Sequence, residues 1–221
     1  VGLLMGDSAV HRMMGWSEGR FNIKYLSTIS RPRRIECTFS DLVVDGLQRT
    51  GDFEALTSDF APMERVFRVN FVKLAEAVND MLAGEKTFCS IQDAPDPEGF
   101  DLVVVGFWLQ GGKPEPKSAE YLAKITDTKL FLIATHGAAD GSAHAAAAID
   151  TAKSLAPNAE VVGTFNCQGE VNPAVLEKVS KKTPQPPWLA DAPSAVGRPN
   201  ADDVDALRKT IRAGLSDCGL S

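Results

Sequence analysis

The chain has 221 residues, of which 44% are hydrophobic and 24% charged, and it carries a formal net charge of −6 at pH 7. That length supports one ample hydrophobic core without disulfide or metal staples, and the longest apolar runs, such as Phe131 to Ala134, fall far short of a membrane span. The acidic balance argues against a nucleic-acid or anionic-membrane surface, both of which need basic patches, and favours a basic protein partner.

The opening residues, Val1-Gly2-Leu3-Leu4-Met5-Gly6-Asp7, lack the basic start and long apolar stretch of a signal peptide, so a cytoplasmic location is the expectation. Residues 1 to 69 hold eight Arg and one Lys against nine acids, whereas residues 70 to 221 hold three Arg and eleven Lys against twenty acids. The whole net charge therefore sits downstream. Upstream, Ser27 to Arg34 reads as loop and Asp41-Leu42-Val43-Val44-Asp45 as a short strand, with no clear periodicity around them. Residues 1–60 are accordingly expected to be an extension of unassigned fold, and residues 61–216 a domain.

Downstream, Leu74, Ala75, Val78, Met81 and Leu82 fall on one helical face that ends at Gly84. Lys86 to Ile91 reads as a strand, broken by Ala94-Pro95-Asp96-Pro97. Leu102-Val103-Val104-Val105 is a continuous apolar run closed by Gly106, the pattern of a strand covered on both faces. A helix over Ser118 to Ile125 leads to a second such run, Leu130 to Ala134, closed by Thr135-His136-Gly137. Propensity favours helix from His144 to Leu155, and Glu160 to Phe165 resumes the sheet. Asn172-Pro173 places a cap and a first-turn proline at the start of another helix. After a proline-rich link, Thr183 to Pro199, Asn200 caps a final helix whose inner face is Val204, Leu207, Ile211 and Leu215. Regular alternation of strand and helix predicts an α/β fold, a parallel sheet with helices on both faces and ligands beyond the carboxyl ends of the strands.

Three loops leave those strand ends: Gly106 to Gly112, Thr135-His136-Gly137-Ala138, and Asn166-Cys167-Gln168-Gly169. The blocks Val105-Gly106-Phe107-Trp108, Thr135-His136-Gly137-Ala138 and Gly163-Thr164-Phe165-Asn166-Cys167-Gln168-Gly169, taken together over residues 70 to 212, resemble the short flavodoxin-like domain family. The resemblance implies a doubly wound five-stranded sheet of order 2-1-3-4-5. It also implies non-covalent FMN at the strand ends and electron transfer to a partner protein, a reductase or an acceptor. The flavin ring would then lie against Gly106, Phe107, Trp108, Leu109, Gln110 and Gly111 on one side and Thr135, His136, Gly137 and Ala138 on the other. Where the family carries an S-x-T-G-N-T phosphate loop, this sequence has Arg65-Val66-Phe67-Arg68-Val69-Asn70-Phe71-Val72-Lys73, in which only Asn70 keeps a family residue. The change in Arg and Lys usage falls at the same place, which suggests an upstream segment in place of the usual first strand and loop.

Other residues admit plainer readings. His136 as an acid or base lacks an evident carboxylate to orient it, and a solvent-facing loop histidine is the commoner case. Cys37, Cys89, Cys167 and Cys218 form no C-x-x-C pair, so buried or incidental thiols are expected and no metal site. Asp202 and Asp203 suit the first turn of a helix, and Trp188 suits packing of the linker or a partner surface. Besides electron carriage, two readings remain: a flavin-dependent NAD(P)H reductase, which the lack of a G-x-G-x-x-G fingerprint disfavours, and a binding module that keeps the scaffold without FMN.

Overall fold

An interior strand of the sheet is formed by a short segment far upstream of the expected domain boundary. In a computed structural model of the chain, which describes residues 33–39 and 62–217 and the backbone alone over 62–71, strand β1 is Arg34–Phe39. Ile35, Cys37 and Phe39 alternate onto one face and are all buried, as a strand covered by helices requires. The boundary drawn at residue 60 is thereby corrected. The compact unit begins at Arg33, because this six-residue strand supplies hydrogen-bonding edges to two neighbours at once. The short strand expected at Asp41 to Asp45, and Cys218, lie outside the described residues.

Helix α1 is Pro62–Met81. It absorbs the stretch Arg65 to Lys73, which the family comparison set in the place of a phosphate loop. Pro62 occupies the first helical turn, where its missing N–H costs nothing, and no Gly or Pro follows before Gly84. Valines and phenylalanines alone do not break such a run. β2 (Glu85–Ser90), β3 (Leu102–Gln110), a two-residue β4 (Lys113–Pro114) and α2 (Pro116–Leu122) come next. They are followed by β5 (Lys129–His136), α3 (Ala143–Leu155), β6 (Glu160–Gln168) and α4 (Pro173–Ser180). The proline-rich link contains a 3-10 helix, Pro187–Ala195, and α5 (Ala201–Asp217) closes the unit. Asn172 and Asn200 each accept a backbone hydrogen bond as caps, from Ala174 at 2.8 Å and Asp203 at 3.1 Å.

The main strands run parallel in the order β2-β1-β3-β5-β6, with β4 antiparallel on β3. Setting aside β4, this is the expected doubly wound order 2-1-3-4-5. The even residues of β3, Leu102 and Val104, join β1, α1 and α5 in one core layer. The odd residues Val103, Val105 and Phe107 join α2 and α3 in the other. Both faces are covered, which is why β3 and β5 read as unbroken apolar runs. No helix among the described residues is long and apolar enough to cross a membrane.

Candidate functional site

β3 continues four residues beyond Gly106, and this decides which aromatic reaches the strand-end surface. Period-two alternation sends Phe107 into the α2/α3 core layer, where it is fully buried, and leaves the next residue, Trp108, only partly buried. In register, Trp108 stands beside Thr135 of β5, while His136 stands beside Gln168 of β6.

The strand then turns back on itself. Gln110 pairs with Lys113 across Gly111 and Gly112, whose φ values are +61° and +79°. Two consecutive residues with positive φ make the primed hairpin turn that matches strand twist, and glycine adopts it without strain. Gly111 has open space on its Cβ side.

The hairpin forms one wall of a cleft of about 480 Å³. Trp108, Leu109, Gln110 and Gly111 line it from β3, and Thr135, His136, Gly137 and Ala138 line it from the end of β5. Its far wall comes from the segment after β6 and from α4, with Trp188 of the 3-10 helix beside them. Trp188 lies against the backbone of Gly137: a Cβ added there would stand 3.1 Å from its ring and 2.7 Å from Val171 Cγ2.

The loop after β5 is held by its neighbours. Ala139 N–H donates to Asp191 Oδ2 at 2.9 Å, and Gly169 N–H donates to the His136 carbonyl at 2.9 Å. Gln168 N–H donates to Asp140 Oδ1 at 3.1 Å. Arg198 adds a clamp, meeting Asp140 Oδ2 at 2.6 Å and Gln168 Oε1 at 2.8 Å. The His136 ring is 6% exposed rather than solvent-facing. Its Nδ1 lies 3.1 Å from the Ala138 carbonyl and its Nε2 3.1 Å from Asn166 Oδ1. Both ring nitrogens are thus engaged in holding the loop, a positioning arrangement with no carboxylate partner in these contacts.

Two residues expected at the site stand elsewhere. Gly106 is inside the sheet, where its missing side chain makes room for the Phe39 ring: a Cβ would stand 2.1 Å from Phe39 Cδ1. Phe107 fills the core, as described. Asn70 belongs to α1, and its side chain lies outside the described residues. Conversely, the sequence reading did not assign His144, Val171, Lys178, Lys182 or Trp188 to a site, yet all five line the cleft. The signal available for α4 was the spacing Val175, Lys178, Val179, Lys182, a single helical stripe. Trp188 had no such signal, since its position depends on how the proline-rich link folds back.

Cys167 is buried and its thiol is pushed up well above its ordinary range by that burial and then by the charge of Asp203. Such a thiol is a poor nucleophile. Among the described residues no group of His, Cys, Asp and Glu could hold a metal ion. The cleft instead offers two indole rings and four glycines, chemistry suited to a flat conjugated molecule.

The family model described as Flavodoxin domain matches residues 69–211. The flavodoxin-like domain-containing protein BilS of Clostridioides difficile (strain CD3) is 29% identical over 107 residues, covering 46% of this chain and 61% of that protein. The chain thus spans less than two thirds of that relative. Among solved structures, oxidised flavodoxin 1 from Bacillus cereus has a TM-score of 0.38 at 13% identity, covering 76% of this chain and 99% of that one. The Streptococcus pneumonia TIGR4 flavodoxin has a TM-score of 0.43 at 11% identity, covering 83% and 99%. An FMN-dependent NADH-azoreductase from Bacillus anthracis, in complex with FMN, has a TM-score of 0.40 at 9% identity, covering 80% and 98%.

Proposed function

The chain belongs to the flavodoxin domain family, and on that premise we propose that it is an FMN-binding electron-transfer protein. The observation that carries this reading is the cleft at the carboxyl edge of the sheet, where the Trp108 hairpin and the Thr135 to Ala138 loop face a common space. Bound FMN would supply the one- and two-electron chemistry. The chain's own residues would do the rest.

Trp108 offers an aromatic surface for a ring to lie against. Gly111, with open space on its Cβ side, lets backbone approach the ring closely because it projects no side chain. His136, tied at both nitrogens, holds Ala138 and Asn166 at fixed places around it. The net charge of −6 suits docking to the basic face of a redox partner protein, either reductase or acceptor.

The test is to purify the chain without added flavin, record its absorption spectrum, and titrate it with FMN. Saturable binding, weakened at least tenfold in Trp108→Ala, is the expected outcome. A folded protein that takes up no flavin would remove the reading. Assays of NADH and NADPH oxidation then separate a carrier, which needs an added reductase, from a self-sufficient flavin reductase.

A further inference from the structure

Trp188 is a large aromatic that belongs to neither core layer among the described residues, whereas Trp108 packs against one of them. It is nonetheless partly buried. Its benzo ring rests on the loop after β5: a Cβ added at Gly137 would stand 3.1 Å from Trp188 Cε3 and 3.4 Å from Cζ3. β5 lies between β3 and β6 in the sheet. The loop therefore has the Trp108 hairpin on its β3 side and Trp188 with Val171 on its β6 side, and both indoles line the cleft.

The segment that carries Trp188 is fastened at several points. Pro186 and Pro187 fix the backbone at the entry to the 3-10 helix, and Leu189 N–H donates to the Pro186 carbonyl at 3.0 Å. Asp191 Oδ2 accepts from Ala139 N–H at 2.9 Å, which ties the helix to the loop after β5. Ser194 Oγ accepts from Gln168 Nε2 at 3.1 Å, which ties it to the end of β6. Ordering a surface segment costs conformational freedom, and a half-covered indole recovers only part of that cost through burial. An anchored indole left open on the side of a cleft is a surface prepared for another ring.

Resting on the FMN reading above, we propose that Trp188 is a second aromatic contact of the flavin ring, set across the Thr135 to Ala138 loop from Trp108. The missing side chain at Gly137 is what lets the indole reach the cleft, since a Cβ there would crowd both Trp188 and the Val171 methyl, 2.7 Å away. The contact involves the ring of the cofactor and neither its ribityl chain nor its phosphate.

Lumiflavin carries a methyl group where FMN carries the ribityl phosphate, and so reports the ring by itself. Binding of FMN and of lumiflavin to the full chain would be measured by equilibrium dialysis for wild type, Trp188→Ala and Trp188→Phe. Trp188→Ala is expected to weaken both flavins by the same factor, about tenfold, and Trp188→Phe to recover most of the loss. A tryptophan in van der Waals contact quenches an excited flavin by electron transfer, and a phenylalanine does not. On a Trp108→Phe background the bound flavin should therefore stay dark, and in Trp108→Phe/Trp188→Phe it should fluoresce. A side chain that only held the loop in place would alter affinity and leave this emission unchanged. Unchanged lumiflavin affinity in Trp188→Ala would overturn the proposal and leave the flavin reading intact. So would a bound flavin that already fluoresces in Trp108→Phe, or one that stays dark when both tryptophans are replaced. If the folded wild type binds neither flavin, the flavin reading itself falls, and this contact with it.

Discussion

Arg198 grips the Asp203 carboxylate with two of its nitrogens, Nε donating to Oδ2 at 3.0 Å and a terminal nitrogen donating to Oδ1. Asn200 N–H adds a bond to Oδ2 at 2.8 Å. Burial works against the charge on Asp203, but the hydrogen bonds from Arg198 and Asn200 outweigh it and hold the carboxyl below its ordinary value of 3.8. The pair joins the start of α5 to the loop after β5, because the same guanidinium reaches Asp140 and Gln168.

Arg198→Ala is therefore expected to cost about 2–3 kcal/mol in urea denaturation, at the low end for a buried pair because the Arg198 side chain is 18% exposed. Arg198→Lys should recover only part of this, since lysine cannot fork onto a carboxylate. A depressed carboxyl contributes stability that is present above its unfolded value and lost as pH falls through its folded one. The gap between wild type and Asp203→Asn should accordingly be full at pH 7 and close below about pH 3.8. A gap that persists in acid would show that the pair is not its source.

Glu36 makes the opposite prediction. Its side chain is fully buried in β1, with Tyr121 O–H donating to Oε2 at 2.6 Å and the Cys89 thiol 3.9 Å from Oε1. Burial pushes its pKa up to about 7 from 4.5, against the Tyr121 hydrogen bond, and the charge of Asp96 adds to the rise. Between those two values the folded state holds a proton that the unfolded chain has released. Stability should thus fall as pH rises from 4.5 to about 7, by about 3 kcal/mol, and then level off. Glu36→Gln should flatten this slope and be the more stable protein at pH 8. Chemical denaturation at pH 5, 6, 7 and 8 checks both statements.

Gly106→Ala should be costly because its new Cβ would stand 2.1 Å from Phe39 Cδ1 and 2.6 Å from Cε1, a ring locked between α1, α5 and the sheet. Overpacking of this kind costs about 1–3 kcal/mol. The double variant with Phe39→Leu should be less unstable than the two single losses added together. Strict additivity in thermal or urea unfolding would contradict the contact.

Gly137→Ala tests the cleft rather than the core. The added methyl would push against Val171 and the Trp188 ring at 2.7 Å and 3.1 Å, and Trp188 sits on a surface segment with room to move. The expected result is a shift in tryptophan emission and at least fivefold weaker FMN binding, with a stability loss of about 1 kcal/mol or less. Unchanged emission and affinity would mean that Trp188 does not bear on the site.

Much of this architecture was legible because burial leaves a local trace. β3 and β5 announced themselves as apolar runs, and Asn172-Pro173 and Asn200 marked the starts of α4 and α5. The strand at Arg34–Phe39 left no such trace. Arg31, Pro32 and Arg33 precede it, Glu36 and Thr38 interrupt it, and the buried Glu is made tolerable by a hydrogen bond from Tyr121 of α2, far away in sequence. The site divided in the same way. Trp108 and Thr135 to Ala138 sit at strand ends, which sequence can find. Which of Phe107 and Trp108 faces the cleft depended on β3 running on to Gln110, and the far wall depended on a proline-rich link whose path no periodicity encodes.

An interior strand that lies more than twenty residues before α1 also limits how the chain can be shortened. β1 separates β2 from β3, and the residues that match the family model begin at 69. An expression fragment cut to that match would lack the strand and open a gap one strand wide, about 4.8 Å on either side of the missing backbone. Two inner edges would then present unpaired amides and carbonyls, the template on which sheets recruit foreign strands. A soluble fragment needs residues 33–39 in the same chain, or an extended peptide of that sequence supplied to fill the slot.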